Sequence, residues 1–177
     1  MNSELQSLYQ RTVLEHCRSP RNFRAMDKPD RVAEGFNPLC GDKVTVYIRT
    51  PASEHPGSER VLPGEEDVPS SNEGGTPSLP LLITEISFEA AGCAICLASA
   101  SMMTELLDGE AADQARQQAE KVLSAFKPGA DNGLGDLGEI VALGSVRSYP
   151  SRIRCVTLPW KTFTAALDGD PNTVSTE

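Results

Sequence analysis

The wide spacing of three thiols that make chemical sense only together most limits what this 177-residue chain can fold into. Cys40 lies in Asn37-Pro38-Leu39-Cys40-Gly41-Asp42, Cys93 follows Gly92 at the start of an alanine-rich apolar run, and Cys155 stands far downstream. In an extended turn a thiolate and a carboxylate two positions apart face the same way, and Gly41 between them brings no Cβ to obstruct a metal or a partner's backbone. Cys40 and Asp42 therefore read as half of a metal site, with Cys93 and Cys155 as the other half. Three sulfurs and one carboxylate suit Zn²⁺ or an iron–sulfur cluster, and do not suit Mg²⁺ or Ca²⁺. Separations of this size require a site assembled by tertiary folding.

The local patterns supply the elements. Ser3 and Gln6 form a capping box, and Leu5, Leu8, Tyr9, Val13 and Cys17 recur at helical spacing until Pro20. They predict an amphipathic first helix with Cys17 packed in the core and His16 on the surface. After a turn-rich passage through Asp27-Lys28-Pro29-Asp30, Val44, Val46 and Ile48 alternate with Thr45, Tyr47 and Arg49, a half-buried strand. Leu82, Thr84, Ile86 and Phe88 predict a second strand.

Between these strands, residues 51–80 hold six Pro, four Gly, five Ser and six acids in 30 positions, too little apolar surface to repay ordering. A disordered insert in place of a hairpin turn is expected, since doubling a loop's length costs only about 0.6 kcal/mol of closure entropy. His55 lies within it and is assigned no metal.

The run CAICLASASMMTELL predicts a buried helix ended by Gly109, with Met102 and Met103 as core filler. Ala111, Ala115, Ala119, Val122, Leu123 and Phe126 mark a second helix directly after it, and residues 128–138 a loop, with Asp136 and Glu139 capping a short helical piece. Ile153, Val156, Trp160, Phe163 and Leu167 mark the last helix. Cys155 lies off that stripe near the helix start, and Pro159 belongs in a first turn or at a kink. Cys93 also stands at a helix start, where the macrodipole favours thiolate over thiol.

The net charge of −9 is a matter of location. The insert carries six acids against Arg60, the segment 168–177 three acids and no base, and the remainder is close to neutral, so the acidity solubilises flexible parts. It argues against a nucleic-acid partner, which would call for a basic footprint. The first residues, MNSELQSLYQ, lack the basic and apolar regions of a signal peptide, and no run approaches the roughly 18 apolar residues of a membrane span. A single cytoplasmic domain spanning residues 1–177, with a flexible tail at 168–177 and no membrane partner, is expected. Five cysteines, an odd number in a reducing compartment, point to thiol or metal chemistry and away from disulfides.

Three stretches, NPLCGD, GCAICLASASMMTELLDG and LGEIVALGSVRSYPSRIRCVTLPWK, resemble the cysteine segments of the U-type iron–sulfur cluster assembly proteins, the family of SufU, IscU and the N-terminal domain of NifU. The resemblance runs from about residue 5 to 168, the insert apart, and is to the SufU branch. Extra residues at 127–149 precede the third cysteine, and Arg154 stands where IscU-type members place a histidine ligand. The chaperone-recognition segment of IscU-type members is not recognisable in Tyr149-Pro150-Ser151-Arg152-Ile153. Membership would imply a small α+β fold, a short antiparallel sheet with helices packed on one face. It would also imply a metal held by Cys40, Asp42, Cys93 and Cys155, and a SufS-type cysteine desulfurase as partner.

On this reading the chain is a zinc-bound sulfur carrier, at most a sulfurtransferase, that accepts persulfide on Cys40 in its Gly-flanked loop and passes sulfur to apo iron–sulfur proteins or a downstream scaffold. Cys155 is the second choice of acceptor, Asp42 an exchangeable hard ligand, and Arg152 an anchor for the partner. The alternative is a scaffold that binds iron as a [2Fe–2S] cluster at the same residues. A remoter one is a C-x-x-C oxidoreductase through Cys93 and Cys96, against which stands the lack of a βαβ frame. Cys96 reads either as a Ser-sized core residue or as a fifth ligand or resolving thiol.

Overall fold

The computed structural model describes residues 3–51, 81–130, 133–170 and 172–176. Strict alternation makes the segment Asp42–Arg49 a strand, β2, whose Asp42, Val44, Val46 and Ile48 are buried while the residues between them are not. It pairs antiparallel with β1 (Arg31–Asn37) on one side and with β3 (Glu85–Ala91) on the other. A short fourth strand, β4 (Val174–Ser175), runs parallel to β1 at the edge, giving the order β3-β2-β1-β4.

Two of these strands escape the sequence patterns. β1 contains Gly35 and two charged residues, Arg31 and Glu34, and has no hydrophobic alternation to announce it. Gly35 is there for space: a Cβ would sit 2.0 Å from Thr162 Oγ1 and 2.9 Å from Leu158 Cδ1, so its absence lets a helix lie directly on the strand. β4 falls within residues 168–177, the stretch expected to be a flexible tail, and it makes the sheet mixed where an all-antiparallel one was expected.

Helices cover the buried face. The helix on Gly35 is α4 (Pro150–Asp168), which packs on β1 and β2 and also against α2 (Ala94–Leu107) and α3 (Ala112–Ala125). Being covered on so many sides, α4 is buried well beyond the expected stripe: Val156, Trp160, Phe163 and Leu167 are in the core, and so are Cys155, Leu158, Pro159 and Ala166. Ser99 of α2 joins the helices as it accepts from Trp160 Nε1 at 3.0 Å and donates to the Val156 carbonyl at 2.7 Å, so the indole keeps a partner where no water reaches. Pro159 lies inside α4, not in its first turn, and leaves the Cys155 carbonyl four residues earlier without its helical N–H.

The helix at the N-terminus, α1 (Ser3–Arg18), packs on α2 and on a 3₁₀ segment, Gly138–Ser148. Its roles reverse the expectation. His16 is 1% exposed and Cys17 is only half-buried. The physical reason is a polar partnership that hydrophobic periodicity cannot register: Ser101 meets His16 Nδ1 at 2.8 Å and Glu139 meets Nε2 at 2.7 Å. Glu139 is thereby no helix cap, and Asp136 pairs with Lys121; the 3₁₀ segment starts after Leu137 with no side-chain cap. The Ser3/Gln6 capping box, the side chains of Leu5, Leu8 and Tyr9, and the insert from residue 52 to 80 lie outside what is described.

Candidate metal centre

β1 and β2 are joined by a four-residue turn, Pro38 to Gly41, with Asn37 and Asp42 paired across its base and the Gly41 amide donating to the Asn37 carbonyl at 2.9 Å. Cys40 is carried at this hairpin tip, beside Leu39, which is 57% exposed. Gly41 is needed for its left-handed φ of +70°; a Cβ there would meet nothing within 4 Å, so conformation and not clearance explains the residue. Asp42, in contrast, opens β2 with its side chain turned into the protein and is 0% exposed.

The carboxylate of Asp42 is held from two directions. Cys93, the N-cap of α2, donates its amide to Oδ1 at 2.8 Å, and Asn37 Nδ2 donates to Oδ2 at 2.9 Å. Residue 92 must come very close for the first of these bonds: a Cβ on Gly92 would lie 2.6 Å from Asp42 Oδ1 and 3.1 Å from its Cα. Asn37 also reaches Cys155 Sγ at 3.5 Å, so one buried amide ties the hairpin base to α4. Sequence patterns missed Asn37. Its signal was an Asn immediately before Pro at a turn, and the side chain does make that Asx contact, accepting the Leu39 amide at 3.3 Å through Oδ1.

Cys155 comes from the sixth position of α4 and is fully buried, with its sulfur 3.4 Å from that of Cys40. Donor atoms of Cys40, Asp42 and Cys155 all lie within 4.8 Å of one another. The sulfur of Cys93 is not among the atoms that meet at this distance. Three of the four expected donors thus converge, and the fourth stands beside them with its amide fixed on Asp42. Arg152, one turn before Cys155, is exposed and donates from Nη1 to Cys40 Sγ at 3.4 Å.

The electrostatics of this group ask for a cation. Burial pushes the Cys155 thiol well above its ordinary value, and its contacts with Asp42, Cys40 and Cys93 push it the same way. With no cation, the buried Cys155 thiol keeps its proton beside that carboxylate; a bound divalent ion would take that penalty away by neutralising the donors. Sulfur donors with one buried carboxylate fit Zn²⁺ or iron, and would hold either through Cys40, Asp42 and Cys155 with Cys93 alongside. Cys96 belongs elsewhere. It is 0% exposed in the apolar core, and burial first, then the nearby Asp42, Cys93 and Cys40, push its thiol far up. It has the surroundings of a packed residue and not of a reactive half of a C-x-x-C pair.

A second cluster, His16 with Glu105 and Glu139, also gathers donor atoms within 4.8 Å. Arg21 already supplies its cation: Nη1 lies 2.9 Å from Glu105 Oε2 and 3.7 Å from Glu139 Oε2, while the Arg21 amide donates to Ser101 at 2.8 Å. This is an ion-pair network that clamps α1 to α2 and to the 3₁₀ segment. Arg154, which the resemblance of the cysteine segments sets in place of a histidine, is exposed.

Known proteins match this architecture. The family model of the NifU-like N terminal domain matches residues 81–156. The zinc-dependent sulfurtransferase SufU of Bacillus subtilis is 30% identical over 162 residues, spanning 90% of this chain and 89% of its own. The iron–sulfur cluster assembly scaffold protein IscU of Thermotoga maritima is 26% identical over 160 residues, spanning 90% and 92%. Among solved structures, one described only as a hypothetical protein superposes with a TM-score of 0.68 at 25% identity, over 92% of this chain and 98% of its own. FiSufU from Fervidobacterium islandicum AW-1 superposes with 0.62 at 25%, over 94% and 99%. An α+β core with helices on one face of a small sheet is common to the match and to the expectation drawn from the cysteine segments.

Proposed function

The chain belongs to the U-type iron–sulfur cluster assembly family, and from that premise we propose that it is a zinc-bound sulfur carrier which accepts persulfide sulfur on Cys40 from a cysteine desulfurase. The observation that carries this reading is the asymmetry of the thiol pair: Cys40 at a hairpin tip, half-buried, against Cys155 fully buried 3.4 Å away. A donor persulfide on another protein can approach the first and not the second. The name of the Bacillus subtilis relative, a zinc-dependent sulfurtransferase, supports the carrier assignment.

The chemistry asks little of the fold beyond positioning. The Cys40 thiolate attacks the outer sulfur of the donor's cysteine persulfide; the bond between that sulfur and the donor's cysteine breaks, and its electron pair returns to the donor as thiolate. Cys40 leaves as a persulfide, with no net oxidation. Bound zinc would supply the charge that keeps these thiols deprotonated near neutral pH. Arg152, with its guanidinium 3.4 Å from the sulfur, adds a cation on the solvent side. Asp42, anchored by the Cys93 amide and Asn37, keeps a donor in place when Cys40 turns to the partner.

Names of other relatives describe a scaffold, so the test must separate two jobs. Purified protein is analysed for zinc, iron and sulfide, then treated with a cysteine desulfurase and cysteine and mapped by mass spectrometry. A colourless protein with one zinc per chain and an adduct of about 32 Da, one sulfur, on Cys40 is expected. An adduct on Cys155 would move the acceptor role there. A coloured cluster with no adduct on any cysteine would replace the carrier by the scaffold.

A further inference from the structure

Away from the thiols, α3, α4 and the end of the chain enclose a cleft of about 650 Å³ that the sulfur chemistry leaves unused. Arg154 and Lys161 of α4, two helical turns apart and so on one face, line it together with Lys127, which follows α3. None of these three cations is ion-paired among the described residues. Against them the lining has one acid among the described residues, Glu120. Leu123, Phe126 and Ile153 contribute apolar wall.

An independent observation concerns another residue of the same lining. Thr176, just after β4, is 3% exposed and its hydroxyl has no hydrogen-bond partner among the described residues, although its amide donates to the Phe36 carbonyl at 3.3 Å. A buried hydroxyl without a partner costs free energy, and Thr176 lines the cleft, where a bound acceptor would satisfy it. Three free cations, one orphan donor and an apolar wall form a complementary set for a single kind of guest.

We propose that this cleft binds a small organic oxyanion, phosphate- or carboxylate-bearing with an apolar body, its charge held by Lys127, Arg154 and Lys161 and one oxygen by the Thr176 hydroxyl. The volume is that of a small-molecule site. A chain with net charge −9 repels polyanions such as nucleic acid or an anionic membrane at longer range, which leaves a small guest able to use three local cations. The proposal stands independently of the sulfur carrier.

Phenyl phosphate is the probe, titrated into the ¹⁵N-labelled, zinc-loaded full chain, with inorganic phosphate and phenol as its two halves. Saturable shifts confined to the amides of Ser124, Thr157, Lys161 and Thr176 are expected, with each half binding at least about tenfold more weakly. The double variant R154Q/K161Q should weaken phenyl phosphate by about tenfold or more with zinc content unchanged, and T176V by severalfold. Cys40→Ala should bind as the parent does, which separates this site from the sulfur chemistry. Shifts that stay linear to about 10 mM, that spread over basic residues across the surface, or that are the same in R154Q/K161Q would overturn the proposal.

Discussion

Replacing Gly92 by alanine tests the construction of the thiol site with a single methyl group. The added Cβ would lie 2.6 Å from Asp42 Oδ1, 3.0 Å from Asp42 Cβ and 3.1 Å from its Cα, distances that real Cβ atoms do not tolerate or barely tolerate. Asp42 cannot retreat: it is fully buried, held by Asn37, and opens β2. Something must move, and the bond at risk is the 2.8 Å contact from the Cys93 amide to the carboxylate. Overpacking of this kind costs about 1–3 kcal/mol, and a hydrogen bond to a charged group about 1.5–3 kcal/mol. Because the same displacement relieves the clash and breaks the bond, the two are not additive and about 2–4 kcal/mol is expected. For a domain of this size that lowers the midpoint by roughly 5–15 °C. Thermal melts of the metal-free chain read the stability, and zinc per chain by elemental analysis reads the site; Gly135→Ala, where a Cβ meets nothing within 4 Å, is the control. If Gly92→Ala melted with the parent and bound zinc equally well, the close approach of α2 to Asp42 would not be what shapes this site.

Two further substitutions probe the frame around it. His16→Ala removes both ring contacts of a fully buried histidine and opens a cavity between α1 and α2, although Ser101 keeps the Arg21 amide and Glu139 the Arg21 guanidinium; a loss of about 2–4 kcal/mol is expected in urea unfolding, with zinc content unchanged, and a loss of zinc would mean that the α1 clamp is part of the site. Glu85 is bridged by Arg24 and Arg49, and the hydrogen bond from Arg24 first, then the Arg49 charge, holds its carboxyl below the usual range. A depressed native pKa gives stability that is present above the unfolded value of about 4.3 and lost as pH falls through the native one. Glu85→Gln should therefore be less stable than the parent at pH 7, by under about 1 kcal/mol for so exposed a pair, and equal to it at the acid end of a pH series of melts. A gap that widened toward acid would reverse the assigned sign.

What the residues disclosed in advance was whatever has a period or a fixed local geometry. Val44, Val46 and Ile48 announce β2, the apolar run after Cys93 announces α2, and Gly109 ends it with a φ of +78°. Cys40 and Asp42 were legible as a pair because the turn between β1 and β2 is short. The features that stayed hidden depend on partners distant in the chain. β1 is defined by what lies on Gly35, β4 by an edge that only the folded sheet offers, and His16 by Ser101 and Glu139, 85 and 123 residues away. Cys155 was expected beside the apolar stripe of its helix. Its spacing does put it there, but α4 is covered by the sheet and two helices, so the flank of the stripe is as buried as its centre.

That burial bears on the order of events in the proposed sulfur transfer. A persulfide delivered from a second protein must come within bonding distance of the receiving sulfur, and Cys155 has no exposed surface on which this could happen. Cys40 has, at the end of a hairpin whose base is pinned by Asn37 and Asp42. The same 3.4 Å contact that joins the two thiols then gives the reason to keep Cys155 so close: a sulfur received at the tip needs only a small rotation of the Cys40 side chain to return to shelter among the other donors. The pinned base supports such a division, since it fixes Asp42 and the Cys93 amide while leaving the tip residue free to face outward or inward. With an acceptor at the tip and anchors at the base, Cys40 can leave the donor set to receive sulfur while Asp42 and Cys155 stay in place, and this supports the proposal of Cys40 over Cys155 as the residue that first takes the sulfur.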